Sequence, residues 1–434
     1  MSEASLEEVI LEKTFAGIFE SQSEMFFRLA NTLLSKGDAD WTRRPFSQLI
    51  SEADAVEALL DDYGARYNRT FSFLREVIAS LRSLSHAGLS IAHLERRMDG
   101  YPTVLSTSEF DSAVNSIQRC RRYLQSTART LLSVACEEAK ARGVQIPADA
   151  FPESRYADVS RRTLPRNMGQ EELEDDEQKV AEVASKFVQA ATMFEEIGVK
   201  RIPHPAEREA FLQRCCSEEQ ARVYEATVHN LQSAYDTWVK NTPIESSDSR
   251  LSKLRGHASA ALHLLEAVTH LTHFVERHES HARDDANGRR LAALVNRAEV
   301  RDLTLNHLMF QAALFLKRGR SLAEDILPSF TNVQVLEVEL REDLVLHARP
   351  AALIVGIVNR YGTPVELEVE GRLCNAASIL DMMITVGSNP EARVFRFRGD
   401  ENPLRDIESL FRAGLGEDGL DKLPAELAYL RPDR

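Results

Sequence analysis

Leu346-His347-Ala348-Arg349-Pro350-Ala351-Ala352 decides how the C-terminal part of this chain reads. Proline is favoured in the first turn of a helix, because its fixed φ suits the helix and its missing N–H had no partner there anyway. Pro350 therefore predicts a helix start, with a histidine and an arginine where a strand hands over to it. The backbone N–H groups at such a start, here those of Ala348 and Arg349, form an anion site that the positive end of the helix dipole favours for phosphate. His347 is the candidate phospho-acceptor. Arg349 is the candidate clamp, since a guanidinium grips two phosphate oxygens at once.

Working outward, Val333 to Leu340 alternates like a half-buried strand, and Ala351 to Arg360 carries Leu353, Ile354, Ile357 and Val358 on one helical face. Val365 to Glu370, Gly371-Arg372 and Leu373-Cys374 predict a hairpin with its glycine in the turn. Asn375 to Met383 follows as a second helical segment, Arg393 to Arg398 as a last strand with Phe395 and Phe397 inward, and Pro403 to Ala413 as a last helix.

From Asn332 to Asp418, about a fifth of the chain, this order resembles HPr, the small histidine phosphocarrier of the bacterial phosphotransferase system. The resemblance implies an open-faced α/β sandwich, a phosphoryl group accepted on His347 from Enzyme I, a clamp at Arg349, a regulatory serine position at Ser378 and partner recognition by the helix that carries it. Three departures stand out. Val345 replaces the family's small residue two places before the histidine, and its β-branched side chain is expected to crowd a partner reaching the imidazole. Ala377 and Asp381 replace the family's lysine and glycine around Ser378, and the extra carboxylate would repel a phosphate added there. One residue is inserted around Ser388 to Pro390. Ser378 also reads simply as a helix-capping serine.

The remaining sequence bounds the rest. At 434 residues the chain exceeds one such domain. A formal charge of −14 argues against nucleic acid or an anionic membrane as partner. Cys120, Cys136, Cys215, Cys216 and Cys374 follow no metal or disulfide spacing and read as reduced thiols of a cytoplasmic protein. Met1-Ser2-Glu3-Ala4-Ser5 does not open a signal peptide, and no uncharged apolar run is long enough to span a bilayer.

Helical periodicity dominates up to about Leu327. One helix is expected through Ile10, Phe15, Phe19, Met25, Phe26 and Leu29 up to Gly37, with others over about Phe46–Tyr63, Tyr67–Met98 and Ser108–Arg142, as in an antiparallel bundle. Pro147, Pro152, Pro165 and Gly169 mark a linker or strap, followed by the acidic cluster Glu171 to Glu177. Phe19, Met25 and Phe26 are then echoed by Phe187, Met193 and Phe194. Leu74, Leu84, Ala87 and His93 are echoed by Leu254, Leu264, Ala267 and His273, Ser51-Glu52 with Ala55 by Ser217-Glu218 with Ala221, and Val114-Asn115 by Val295-Asn296. The expectation is an internal duplication whose halves superpose.

His263, His270 and His273, with His257, His278 and His281 near them, fall on a long helix without ligand spacing. They read as partly buried or surface imidazoles; a metal-binding sensor is the sharper rival. No phosphate loop, dinucleotide fingerprint or nucleophile elbow is present, so the chain reads as a phosphoryl carrier rather than an enzyme with its own nucleotide site, and no metal or cofactor is expected.

The expected architecture is multidomain: a helical bundle unit over 1–143, a linker or strap over 144–172, a second helical unit over 173–328, an α+β sandwich of HPr type over 332–418 and a tail over 419–434. The expected role is a cytoplasmic bacterial phosphocarrier or signalling regulator. Its partners are an Enzyme I-like donor and an unidentified protein docked on the helices, with homo-oligomerisation left open. The alternative is a scaffold in which the HPr-like fold serves only as a docking surface.

Overall fold

The computed structural model describes residues 9–37, 41–156, 177–279 and 286–431. Contacts divide the chain into two compact units. One holds the described residues up to 156, with 194–229 and 256–315; the other holds 177–193, with 230–255 and the chain from Leu316 onward. Pro165, Gly169 and the acidic cluster from Glu171 lie outside the described residues, apart from Glu177.

In the first unit the run expected as one helix is two, α1 (Glu12–Gln22) and α2 (Glu24–Ser35). They part at Ser23, whose hydroxyl donates to the Phe19 carbonyl at 2.5 Å. That back-bond lets the helix bend, and the bend lets Phe15 and Phe19 both pack on Phe71. α3 (Arg43–Asp62), α4 (Ser72–Arg97) and α5 (Thr107–Ala141) follow close to the expected bounds. α5 starts at a capping box: Ser106 accepts from the Glu109 N–H while Glu109 accepts from the Ser106 N–H, satisfying two donors reciprocally. Arg75 and Arg82 of α4 tie back to Asp54, Glu57 and Asp61 of α3. Residues 144–156 form a strap: Pro147 accepts from Asn31, the Phe151 N–H donates to Thr32, and Phe151 and Tyr156 are buried.

The later helices are α6 (Glu177–Ile197), α7 (Pro205–Cys215), α8 (Glu218–Trp238), α9 (Pro243–Ser247), α10 (Ser249–Glu279), α11 (Ala286–Leu294), α12 (Arg297–Asp302) and α13 (Phe310–Ile326), the last two joined by a π-helical stretch, Leu303–Met309. Several echoed residues sit at matching depths: Phe19 and Phe187, Leu74 and Leu254, Leu84 and Leu264, and Ala87 and Ala267 are all buried. Others do not match. Ala55 is exposed where Ala221 is buried, and Asn115 lies within α5 where Asn296 caps α12.

The C-terminal domain has the HPr-type arrangement. β1 (Val333–Glu339), α14 (Ala348–Tyr361), β2 (Val365–Val369), β3 (Arg372–Asn375), α15 (Ile379–Gly387), β4 (Val394–Asp400) and α16 (Glu401–Arg412) build one antiparallel sheet in the order β1-β4-β2-β3 with helices on one face. Period-2 alternation sorts β4 into an inward set, Phe395 and Phe397, and an outward set, Arg396 and Arg398. The inward residues meet Leu353, Ile354, Ile357 and Val358 of α14 and Ile407 and Leu410 of α16 in one core. Each such side chain contributes roughly 1.5–3 kcal/mol on burial. The open face stays wet because its cross-strand neighbours are opposite charges: Arg396 lies 3.0 Å from Glu337 and 3.5 Å from Glu368, and Arg398 lies 3.7 Å from Glu366. The β2–β3 turn holds Glu370 and Gly371 at φ 49° and 78°, the type I′ pattern that matches strand twist.

Residues 419–434 were expected as a tail. Up to Arg431 they instead close the core, with Leu423 and Leu427 buried and the Tyr429 hydroxyl donating to Asp406 at 2.6 Å beside that of Tyr361 at 2.9 Å. The same unit contains helical segments packed on the sandwich: Gln178 of α6 donates to the Tyr361 carbonyl and accepts from Asn402. No helix among the described residues is long and apolar enough to cross a membrane.

Candidate functional site

The loop before α14 alternates in depth. Leu344 and Leu346 are buried while Val345 and His347 face out, and Arg393 donates to the Leu344 carbonyl to hold the loop on the sheet. This alternation presents the imidazole at the surface. His347 is the N-cap of α14, with its side chain 45 % exposed, and its Nδ1 accepts from the Arg349 N–H at 3.3 Å. An N-cap acceptor satisfies one of the first-turn donors that a helix leaves unpaired. Pro350, at the third helical position, has no donor to leave over. The Ala348 and Arg349 N–H groups thus open the helix beside Nδ1.

The other ring nitrogen meets a residue that the sequence reading missed. Glu417 Oε1 lies 3.0 Å from His347 Nε2, off the line of an N–H hydrogen bond, and Glu417 Oε2 lies 3.8 Å from Arg349. Arg349 therefore shares one carboxylate with the histidine, although it is 64 % exposed and loosely held. Glu417 reaches the site through a bend after α16 in which Gly414, Leu415 and Gly416 take φ values of 68°, 56° and 72°. Leu415 is a non-glycine residue in left-handed space, strained by roughly 1–3 kcal/mol, and its fully buried side chain holds it there. The only hint in the sequence was the pair of glycines, which mark a turn without saying where it leads.

Ser378 caps α15 and accepts from the Asp381 N–H at 3.2 Å. The exposed side of α15 carries Ile379, Leu380 and Ile384, and Val345 is 64 % exposed two residues before His347.

The histidines on α10 separate into distinct local roles. His270 stacks on His86 with ring centroids 4.4 Å apart, His263 packs on His93 at 4.3 Å, and His273 Nδ1 lies 3.0 Å from Glu218. Burial pushes the His86 imidazole down. Burial and then the partner's charge push His93 down to about 4 and His270 down to about 3. His257 is fully buried: Nδ1 donates to the Phe315 carbonyl at 2.9 Å and Nε2 accepts from the Val104 N–H at 3.0 Å. The His278 side chain and His281 lie outside the described residues. Among the described residues no group of three His, Cys, Asp or Glu side chains is arranged to hold a metal ion.

The family described as the PTS HPr component phosphorylation site matches residues 336–394. The C-terminal domain is HPr-like, and it supports a phosphocarrier-type role in the phosphotransferase system and interaction with components such as Enzyme I. No solved structure matches the chain.

Proposed function

We propose that His347 Nδ1 accepts a phosphoryl group from an Enzyme I-like phosphohistidine, and that the phosphorylated domain passes the group on or uses it to control a partner of the helical region. The observation that carries this reading is the orientation of the ring, with Nδ1 turned to the opening turn of α14 and Nε2 turned to Glu417. The Arg349 N–H lets go of Nδ1, the freed lone pair attacks phosphorus, the new N–P bond forms as the donor's P–N bond breaks, and the donor nitrogen leaves with its electron pair. The Nε2 proton stays beside Glu417 throughout, so no proton need be released. The Ala348 and Arg349 N–H groups meet the incoming negative charge, as donors aimed at developing charge do. Arg349 completes the clamp by leaving Glu417, which costs little for so exposed a pair. Val345 and the exposed Ile379, Leu380 and Ile384 supply an apolar rim for the donor. Ser378 serves as a cap rather than a regulatory site. Five unpaired thiols and the carrier chemistry fit a bacterial cytoplasm.

The same exposed rim favours a second reading, a scaffold that binds phosphotransferase components without chemistry. Labelling with Enzyme I and phosphoenolpyruvate, comparing wild type with His347→Ala, separates them. Label on wild type that is acid-labile and absent from His347→Ala supports the carrier; no label on either leaves the scaffold.

A further inference from the structure

We propose that a cavity of about 620 Å³ in the helical region is a binding site for a small phosphorylated metabolite, with its phosphate between Arg122 and Arg201. The cavity lies against α5 and the π-helical stretch, and none of its lining residues belongs to the HPr-like domain. Its volume falls in the range of about 300–1,000 Å³ typical of small-molecule sites. Every lining residue is polar or charged, and none is aliphatic, Phe, Tyr or Trp. Charged and hydrogen-bonding groups define such a wall, and they suit a charged, hydroxylated ligand.

The charges choose the sign of the ligand. Of the three lining guanidiniums, Arg119 is committed to Glu299 at 2.8 Å and Asp302 at 3.3 Å. Arg122 and Arg201 have no carboxylate in ion-pair range among the described residues, and Arg201 rests over the Phe310 ring at 4.6 Å. Two uncommitted guanidiniums face one lining carboxylate, Asp111. Guanidiniums in that state match phosphate oxygens, while Asp111 and Asn115 suit hydroxyl groups on the ligand body.

The site is also built rather than accidental. Buried Asn306 accepts from the Ile202 N–H at 2.6 Å and donates to the Ile202 carbonyl at 2.9 Å, so the residue next to Arg201 is fastened at both its polar groups. Arg208 adds bonds to the Pro203 carbonyl and Asp302, both at 3.0 Å. Gln311, fully buried, donates to the hydroxyls of Ser112 and Ser116, so each serine keeps its own hydrogen to give. Ser116 Oγ and His307 Nδ1 share a hydrogen bond at 3.1 Å, and the hydrogen of Ser112 is left for the cavity. Asn306 and His307 both belong to the π-helical stretch, whose register differs from that of an α-helix, and such insertions are frequent at functional sites.

Titration calorimetry of the full-length protein with glucose 6-phosphate, 3-phosphoglycerate, inorganic phosphate and glucose tests this. The expected result is saturable binding of at least one phosphorylated metabolite, tighter than inorganic phosphate, with no binding of glucose. Arg122→Ala and Arg201→Ala should each weaken it at least tenfold, while Arg66→Ala, outside the cavity, and His347→Ala leave it unchanged. Circular dichroism checks that the variants fold; both arginines are exposed, so folding should persist. Absence of saturable binding by all the phosphorylated probes, binding no tighter than inorganic phosphate, or binding lost in His347→Ala but kept in the two arginine variants overturns the assignment.

Discussion

Glu417→Gln isolates what the carboxylate beside the histidine does. The substitution keeps the shape and an acceptor oxygen and removes one charge, 3.0 Å from Nε2. In the unphosphorylated protein the loss is small, because both partners are partly exposed and such pairs are worth about 0.2–1 kcal/mol. A phosphoryl group on Nδ1 changes the balance. Across the ring the separation is roughly 6 Å, and a charge of about −2 against −1 costs about 1.4 kcal/mol in water, which salt with a Debye length of about 8 Å roughly halves. The remaining repulsion of about 0.7 kcal/mol is about a threefold factor in the phosphorylation equilibrium. The assay holds the protein and catalytic Enzyme I at a series of phosphoenolpyruvate-to-pyruvate ratios and reads the phosphorylated fraction on a phosphate-affinity gel. The ratio for half-phosphorylation should fall about threefold in Glu417→Gln, with the initial rate of labelling changed less than tenfold. An unchanged midpoint, or one that moves toward more phosphoenolpyruvate, would show that Glu417 does not oppose the phosphoryl group and would refute the charge argument, whereas a fall far beyond threefold would place the group on Nε2, nearer the carboxylate.

Three other outcomes follow from the structure. Ser378→Ala should cost about 1 kcal/mol in urea unfolding, the usual price of an N-cap, and leave labelling at His347 within twofold; a large loss of labelling would return Ser378 to a functional role. Glu370→Asn should stabilise the protein by up to about 1 kcal/mol, a part of the roughly 1–2 kcal/mol that an L-residue loses in left-handed space, and a lower melting temperature would contradict the type I′ reading. Acidification should destabilise the helical region through His257, whose imidazole is pushed down to about 4 chiefly by burial. Above pH 6.5 neither folded nor unfolded chain holds that proton; between 6.5 and about 4 the unfolded chain binds it and the folded chain does not, so stability falls, by about 3 kcal/mol at the acid end. His93 and His270 act with the same sign, whereas Glu218, raised by burial but held down to about 2 by Arg222, His273 and Arg277, loses its contribution only below pH 4.5. Denaturation series at pH 7.5, 5.5 and 4.5 should show a shallower decline in His257→Gln, and parallel curves would refute the linkage.

The HPr-like domain was legible because its signals are local. Val365 to Cys374 names its own turn, Phe395 and Phe397 name their face by alternation, and Pro350 fixes the start of α14 within one turn. Glu417 was not legible, since its role depends on three successive left-handed residues and a buried Leu415, and nothing in the side chain itself says that a carboxylate seventy residues on returns to a histidine. The break at Ser23 was hidden for the opposite reason. Ser23 fits a helix by propensity, and only the packing of Phe15 and Phe19 on Phe71 decides that the chain bends there. The polar cavity lay furthest from view. Its residues come from three distant segments, and a π-helical register places Asn306 on Ile202 and His307 on Ser116 through hydrogen bonds that no 3.6-residue pattern encodes. Periodicity finds faces that are apolar; a site made of paired and unpaired charges on the opposite face must be read from which partners each arginine already has.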